Sequence, residues 1–262
     1  MPQYLCIGAP YFLGERIAAR TEGEQIKASG IADELGADWI DLQPDFTPDE
    51  NPVVTVNRAL AQTIAAHPQH VPLIFAADCV SALGALKGLE SQQPAVVWFD
   101  SHGDFNTPET SPSGFLGGMP LAMLVGRGDL TYMDAIGLAP LPESEIIITD
   151  ARDLDPEEGQ ALAASDLTHL SDVSQLLTAD LPAKPLYIHL DTDVVDIAEL
   201  PGMSYPAPGG PSVAEVATSF RHVAQQRPLA GVLFSLWNAS LLPADDDRAL
   251  QGTLQLVRAL LD

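Results

Sequence analysis

Short apolar runs alternate with longer amphipathic segments along the chain. The runs cover 4–8, 39–42, 71–76, 95–99, 145–149, 186–190 and 231–235, and they are rich in Val, Ile, Phe and Tyr. Nearly unbroken apolarity over so few residues marks strands covered on both faces. Between them, 24–35, 53–66, 80–89, 213–226 and 247–261 carry apolar residues at helical spacing. Such alternation builds βαβ units and predicts a mainly parallel sheet. No internal repeat, low-complexity tract or linker interrupts it, so one domain over 1–262 is expected. Two long irregular segments remain, 107–118 and 200–211, and long loops in α/β domains tend to be functional. The acidic run Asp245-Asp246-Asp247 stands where the last helix should begin, and carboxylates there complement the helix dipole.

Composition narrows the partners. Twelve Lys+Arg against 36 Asp+Glu give a net charge of −24 over 262 residues. Nucleic acid and anionic membranes need a basic surface that this chain lacks. A cationic small molecule would be drawn in by such a field, although the charge also serves solubility alone. With 46% apolar residues the chain can bury a core and is not disordered. The two cysteines, Cys6 and Cys79, cannot build a disulfide framework, which points to a reducing compartment. The Met1-Pro2-Gln3 start has neither a basic nor a long apolar leader region, and the longest apolar stretch, 229–242, is broken by polar residues. A cytoplasmic protein is expected.

Parallel sheets bind ligands at the carboxyl ends of their strands. The run 95–99 is followed by Asp100-Ser101-His102-Gly103-Asp104, the run 186–190 by Asp191-Thr192-Asp193, and the run 71–76 by Asp78-Cys79. Residues two apart in extended chain face one side, so Asp100, His102 and Asp104 can converge, as can Asp191 and Asp193. Four crowded carboxylates repel one another and call for cations. Oxygen donors with one imidazole suit Mn²⁺ better than a structural zinc, and two ions sharing carboxylates could activate a hydroxide. The plainer alternative is that these acids are separate caps and turn residues. An EF-hand is excluded, because Val194 and Val195 stand where a glycine turn and oxygen ligands are needed.

At these residues the sequence resembles a known family. Trp98-Phe99-Asp100-Ser101-His102-Gly103-Asp104 is similar to the D-A-H-x-D signature of the arginase/agmatinase (ureohydrolase) family. His189-Leu190-Asp191-Thr192-Asp193, followed by Pro206-Ala207-Pro208-Gly209-Gly210, resembles its second metal motif and glycine-rich sequel. Asp78-Cys79-Val80-Ser81 looks like its G-G-D-H-S motif, and Arg152-Asp153-Leu154-Asp155-Pro156 like its R-D-x-D-P turn. The resemblance implies a three-layer α/β/α fold, a dinuclear Mn²⁺ centre and hydrolysis of a guanidinium or amidine. By position, Asp100 and Asp191 would bridge both ions. Cys79 and Asp104 would complete one site, and His102 and Asp193 the other. Asp104 would relay a proton to the departing amine. Asn106, Ser113 and Asp155 match positions that hold the α-carboxylate and α-amino group of an amino-acid substrate. The family also makes a homo-oligomer possible.

Departures from the family pattern bear on function. Cys79 stands where the family has a histidine ligand, and a thiolate is softer than Mn²⁺ prefers. Gly117 falls at the family's proton-shuttling histidine, and His189 could partly compensate as a catalytic residue or simply be a core histidine. Leu236 falls where a glutamate would meet the guanidinium, which favours a less basic N-hydroxyguanidine or amidine. The leading expectation is a dinuclear amidinohydrolase. A degenerate member that binds without turnover and a deacetylase-like mononuclear zinc hydrolase are the alternatives.

Overall fold

The computed structural model describes residues 3–17 and 22–261; Met1 and Pro2, on which part of the leader reading rests, lie outside them. Its centre is an eight-stranded sheet in which every pairing is parallel. The strands are β1 (Tyr4–Ala9), β4 (Asp38–Asp41), β5 (Val71–Ala76), β6 (Ala95–His102), β7 (Ile146–Asp153), β8 (Thr168–Leu170), β9 (Leu186–Asp191) and β10 (Leu229–Ser235). A small antiparallel pair, β2 (Tyr11–Phe12) and β3 (Glu15–Arg16), comes after β1. The order across the sheet is β4-β1-β5-β10-β9-β6-β7-β8. The chain therefore skips from β5 to β6, and β9 and β10 later fill the gap. The carboxyl ends of β5, β6 and β9 carry the acids, with β10 set among them, as expected where strand order reverses.

Strand alternation sorts the core into two layers. Leu5, Ile7, Ile74, Val96, Trp98, Ile148 and Tyr187 face α3 (Pro52–Ala65), α4 (Ser81–Gly88), α5 (Pro120–Leu124), α6 (Thr131–Ile136) and α7 (Pro156–Ala163). Tyr4, Cys6, Phe75, Val97, Phe99, Ile188 and Phe234 face α1 (Glu22–Ala28), α2 (Ile31–Leu35), α8 (Val213–Gln226) and α9 (Arg248–Arg258). Two cores on one sheet make the three-layer α/β/α architecture. Cys6 belongs wholly to the second core, where burial pushes its thiol up to about 12.

Some elements differ from the periodicity. The segment 24–35 is two helices, because Gly30 takes a left-handed φ of 79° between them. Helices α5, α6 and α7 and strand β8 are each under three turns or four residues, too short for a periodic signal to rise above their surroundings. The acidic run does precede α9, where Asp246 pairs with Arg248 at 2.7 Å and acts as a solvated helix start. Among the described residues no helix is long and apolar enough to cross a membrane.

Candidate metal centre

Backbone donors at the strand ends aim the acids. Asp100 accepts from the His102 N–H at 2.7 Å with Oδ1 and from the Trp98 indole N–H at 3.1 Å with Oδ2. Asp191, the last residue of β9, accepts from the Asp193 N–H at 2.9 Å and from the Cys79 thiol at 3.0 Å. Asp193 accepts from the Ser101 N–H at 3.0 Å and lies 2.9 Å from His102 Nδ1. Asp104 takes a left-handed φ of 47°, uncommon for a residue with a Cβ, and such strain gathers at functional sites. Its carbonyl receives the first N–H groups of α5, Leu121 at 3.0 Å and Ala122 at 3.1 Å, which holds the turn in place.

Charge in this cluster is arranged for cations. Burial, then the Asp193 charge, pushes Asp100 up to about 6. Burial and neighbouring carboxylates raise Asp104 and Asp191 as well. Burial also pushes Asp193 up, but the His102 and Ser101 donors outweigh it and hold it below the usual carboxylate range. Burial works against a charge on His102, yet Asp100 and Asp193 hold it protonated and push it up to about 12. Burial, then Asp191, keeps Cys79 a thiol, and burial alone keeps His189 neutral.

Donor atoms fall into two groups sharing Asp100. Cys79, Asp100, His189 and Asp191 place one donor atom each within 4.8 Å of one another, and Asp100, His102 and Asp193 do the same beside them. Asp104 lies on the cavity wall next to these groups, and its Oδ2 is buried with no hydrogen-bond partner among the described residues. Caps and turn acids would be satisfied by the backbone. An orphaned carboxylate oxygen beside mutually repelling acids fits a site for divalent cations instead. Asp78, in contrast, is fully engaged in structure: it receives the Leu13 N–H at 2.7 Å and both the N–H and hydroxyl of Ser81 at 2.9 Å.

The acids open into a cavity of about 380 Å³ whose walls include Asn106, Ser113, Asp155, Gly117, Phe115, Tyr205 and Leu236. All three residues expected to meet an amino acid's α-groups are thus gathered on one rim, where Asn106 Nδ2 donates to Asp155 at 3.0 Å. Leu236 faces the cavity with no carboxylate of its own, as its place in the sequence suggested. At Gly117 a Cβ would stand 2.3 Å from the Phe115 ring, so that aromatic fills the space a histidine would use. His189 is fully buried and is not among the residues that line the cavity.

Sequence reasoning missed two anchors. Arg152 donates to Asp150 at 2.7 Å, to the carbonyls of Val194 at 3.0 Å and Asp193 at 3.1 Å, and to Ala207 and Pro208 at 3.3 and 3.2 Å. It clamps the Asp193 turn to the glycine-rich loop, and Gly210 must lack a Cβ because one would stand 2.8 Å from Arg152. Glu158 accepts from the Phe105 N–H at 2.9 Å and the Asp155 N–H at 3.1 Å, joining the metal loop to the substrate rim. The R-D-x-D-P turn signalled the first; the second has only its place in the first turn of α7.

Known proteins resemble this chain in sequence and in fold. A profile of the Arginase family matches residues 18–233. Arginase of Bacillus subtilis (strain 168) is 31% identical over 230 residues, covering 80% of this chain and 76% of that protein. N(omega)-hydroxy-L-arginine amidinohydrolase of Streptomyces lavendulae is 30% identical over 205 residues, covering 76% of this chain and 71% of that protein. The crystal structure of Bacillus subtilis arginase superposes with a TM-score of 0.87 at 26% identity, over 99% of this chain and 98% of that one. Bacillus subtilis formimidoylglutamase shares the fold, with a TM-score of 0.73 at 18% identity over 99% of this chain and 87% of that one. With the profile spanning most of the sheet and both acidic motifs, the chain belongs to the arginase family and is a hydrolase of that family.

Proposed function

We propose that this chain is a dinuclear-metal amidinohydrolase, one domain over 1–262, that converts a guanidino or N-hydroxyguanidino amino acid to an amine plus urea or hydroxyurea. The observation that carries this reading is the buried cluster of Asp100, His102, Asp104, Asp191, Asp193 and Cys79 opening into a cavity lined by Asn106, Ser113 and Asp155. Asp100 and Asp191 would be shared between two ions, with His102 and Asp193 on the outer one and Cys79 on the inner one. Asp104 stands beside both. Mn²⁺ suits the outer, oxygen-rich set, and the Cys79 side is the weaker Mn²⁺ site. Divalent ions there would polarise a water and stabilise charge developing on the substrate's central carbon.

The chain's own residues divide the remaining work. Asn106, Ser113 and Asp155 bind the α-groups and so orient the amidine toward the acids. Asp104, with its free buried oxygen, accepts the proton of the attacking water and passes it to the leaving nitrogen. Leu236 offers no counter-charge, so a substrate that is less basic than arginine loses least. N-hydroxyarginine, the substrate in the name of the Streptomyces relative, is such a compound. Phe115 and Tyr205, with ring centroids 4.9 Å apart, add aromatic faces that attract a delocalised cation more softly than a carboxylate. A reducing cytoplasm would keep Cys79 a free thiol.

The test is product formation by metal-loaded protein offered arginine, N-hydroxyarginine, agmatine, guanidinobutyrate and formiminoglutamate. Turnover of N-hydroxyarginine above the others is expected. Binding without turnover is the competing reading, favoured by the Phe115 ring over Gly117 and the thiol at position 79. Absence of product from every compound, with metal bound, would decide for it.

A further inference from the structure

His189 is a buried polar side chain beside the acids that the proposed reaction leaves unused. It is fully buried, and neither ring nitrogen has a hydrogen-bond partner among the described residues. Leaving two imidazole nitrogens unsatisfied in a core forfeits their hydration without return, and native proteins rarely tolerate it without a reason. The ring is not adrift: it lies 3.5 Å, centroid to centroid, from the Trp98 indole, which fixes its plane. Two residues along β9, Asp191 faces the same side of the sheet. A nitrogen of His189, the Cys79 sulfur and one oxygen each of Asp100 and Asp191 lie within 4.8 Å of one another.

We propose that His189 is a protein ligand of the inner metal position, and that the Cys79–His189–Asp100–Asp191 set holds a borderline-soft, four-coordinate ion such as Zn²⁺ while the outer Asp100–His102–Asp193 set holds a harder one. The inference rests on the reading of this cluster as a dinuclear centre. One sulfur, one imidazole nitrogen and two carboxylate oxygens form a donor set that zinc accepts and that Mn²⁺, which prefers oxygen, does not. Donors on one tetrahedral Zn²⁺ at about 2.0–2.3 Å stand roughly 3.3–3.8 Å apart, so four atoms already within 4.8 Å of one another close on the ion by at most about 1.5 Å. Their orientation is already supported. The Trp98 indole N–H at 3.1 Å holds Asp100, the Asp193 N–H at 2.9 Å holds Asp191, and the Cys79 sulfur touches Asp191 at 3.0 Å and the Ser235 hydroxyl at 3.3 Å. The histidine missing at position 79, after β5, is in effect supplied from β9, on the far side of β10.

Zn²⁺ binds more tightly than Mn²⁺ at most nitrogen-containing sites, so the deciding readout is which side chains the ion touches. The experiment is zinc-edge X-ray absorption on the full chain carrying one equivalent of Zn²⁺, with Co²⁺ optical spectra in parallel. The expected result is one sulfur at about 2.3 Å, one imidazole, and a thiolate-to-Co²⁺ charge-transfer band that Cys79→Ser abolishes. His189→Phe keeps a ring on Trp98 and should remove the imidazole signal, lowering Zn²⁺ affinity by more than the roughly 10–100-fold that an outer partner is worth. Should that variant not fold, His102→Ala gives the same answer from the other side, because the imidazole signal then persists. Imidazole scattering retained in His189→Phe or lost in His102→Ala, or no sulfur in the wild type, overturns the inference and leaves the dinuclear reading standing. Failure of the wild type to bind Zn²⁺, Co²⁺ or Mn²⁺ overturns the reading beneath it.

Discussion

The imidazole of His189 lies flat against the indole of Trp98, with ring centroids 3.5 Å apart and planes 8° from parallel. The same indole turns its N–H to Asp100 Oδ2 at 3.1 Å, so one side chain positions two members of the cluster. Trp98→Phe keeps an aromatic face for His189 but removes that donor. Metal affinity should fall by about tenfold, the lower end of what outer partners contribute. A chelator-competition titration reads this, and affinity equal to wild type would mean that Asp100 needs no help from Trp98.

Arg152 is a clamp whose geometry lysine cannot copy. Its planar fork reaches two carbonyls of the Asp193 turn, two of the glycine-rich loop and the Asp150 carboxylate. A lysine keeps the charge beside Asp150 but loses the fork. Arg152→Lys should therefore weaken metal binding at the outer set by roughly 10–100-fold. Affinity at the inner set should change less. Mn²⁺ titration followed by electron paramagnetic resonance separates free from bound ion and checks the expectation.

Asp155 tests the substrate rim. Its carboxylate receives Asn106 Nδ2 at 3.0 Å and faces the cavity. If it reads an α-amino group, Asp155→Asn removes a charge-assisted hydrogen bond worth about 1.5–3 kcal/mol, or roughly 10–100-fold in KM. The loss should appear with amino-acid substrates and be absent with guanidinobutyrate, which has no α-amino group for Asp155 to meet. Equal losses for both compounds would place Asp155 outside substrate recognition and return it to its role at the start of α7.

The strands and the acids were legible for one reason: both repeat on a rule the sequence displays. Buried parallel strands are short apolar runs, and the residues just after a run stand at the ligand edge, so Asp100 and Asp191 could be placed from their positions in the chain alone. The cavity wall obeys no such rule. Phe115 fills the space over Gly117 through a loop whose path depends on tertiary contacts, and Glu158 reaches back across 53 residues to the Phe105 N–H. His189 was half legible. Its spacing from Asp191 put it on the right face, but only the sheet register, which pairs His189 with Trp98, and its full burial show that it stacks in the core and stays off the cavity wall. The opposite case is the helix expected over 24–35, where periodicity ran through a glycine that the backbone uses to turn.

Gly117 is the position where the missing shuttle can be returned, provided that Phe115 yields. A Cβ there would stand 2.3 and 2.5 Å from two atoms of the Phe115 ring, closer than real contacts permit. Gly117→His alone should destabilise the loop by about 1–3 kcal/mol, the usual cost of overpacking. Urea unfolding measures that cost. Combined with Phe115→Ala, the histidine gains room, and most of the lost stability should return. Independent, additive effects in the two single variants and the double would show that the ring and residue 117 do not compete for one space.

Leu236 decides how much positive charge the pocket can hold. It is half-buried on the cavity wall at the end of β10, and its N–H is committed to the Ala76 carbonyl at 3.0 Å, so the backbone there is fixed. Leu236→Glu would add a carboxylate facing the cavity without moving the strand. A guanidinium gains a charge-assisted partner from that change, whereas the less basic N-hydroxyguanidine, a weaker cation partner, gains less. The ratio of kcat/KM for arginine over N-hydroxyarginine should therefore rise by about tenfold, equivalent to roughly 1.4 kcal/mol of differential transition-state binding. The added charge also joins acids that already repel one another, so the comparison belongs at saturating metal. A ratio that stays at the wild-type value would mean that residue 236 does not face the reacting end of the substrate.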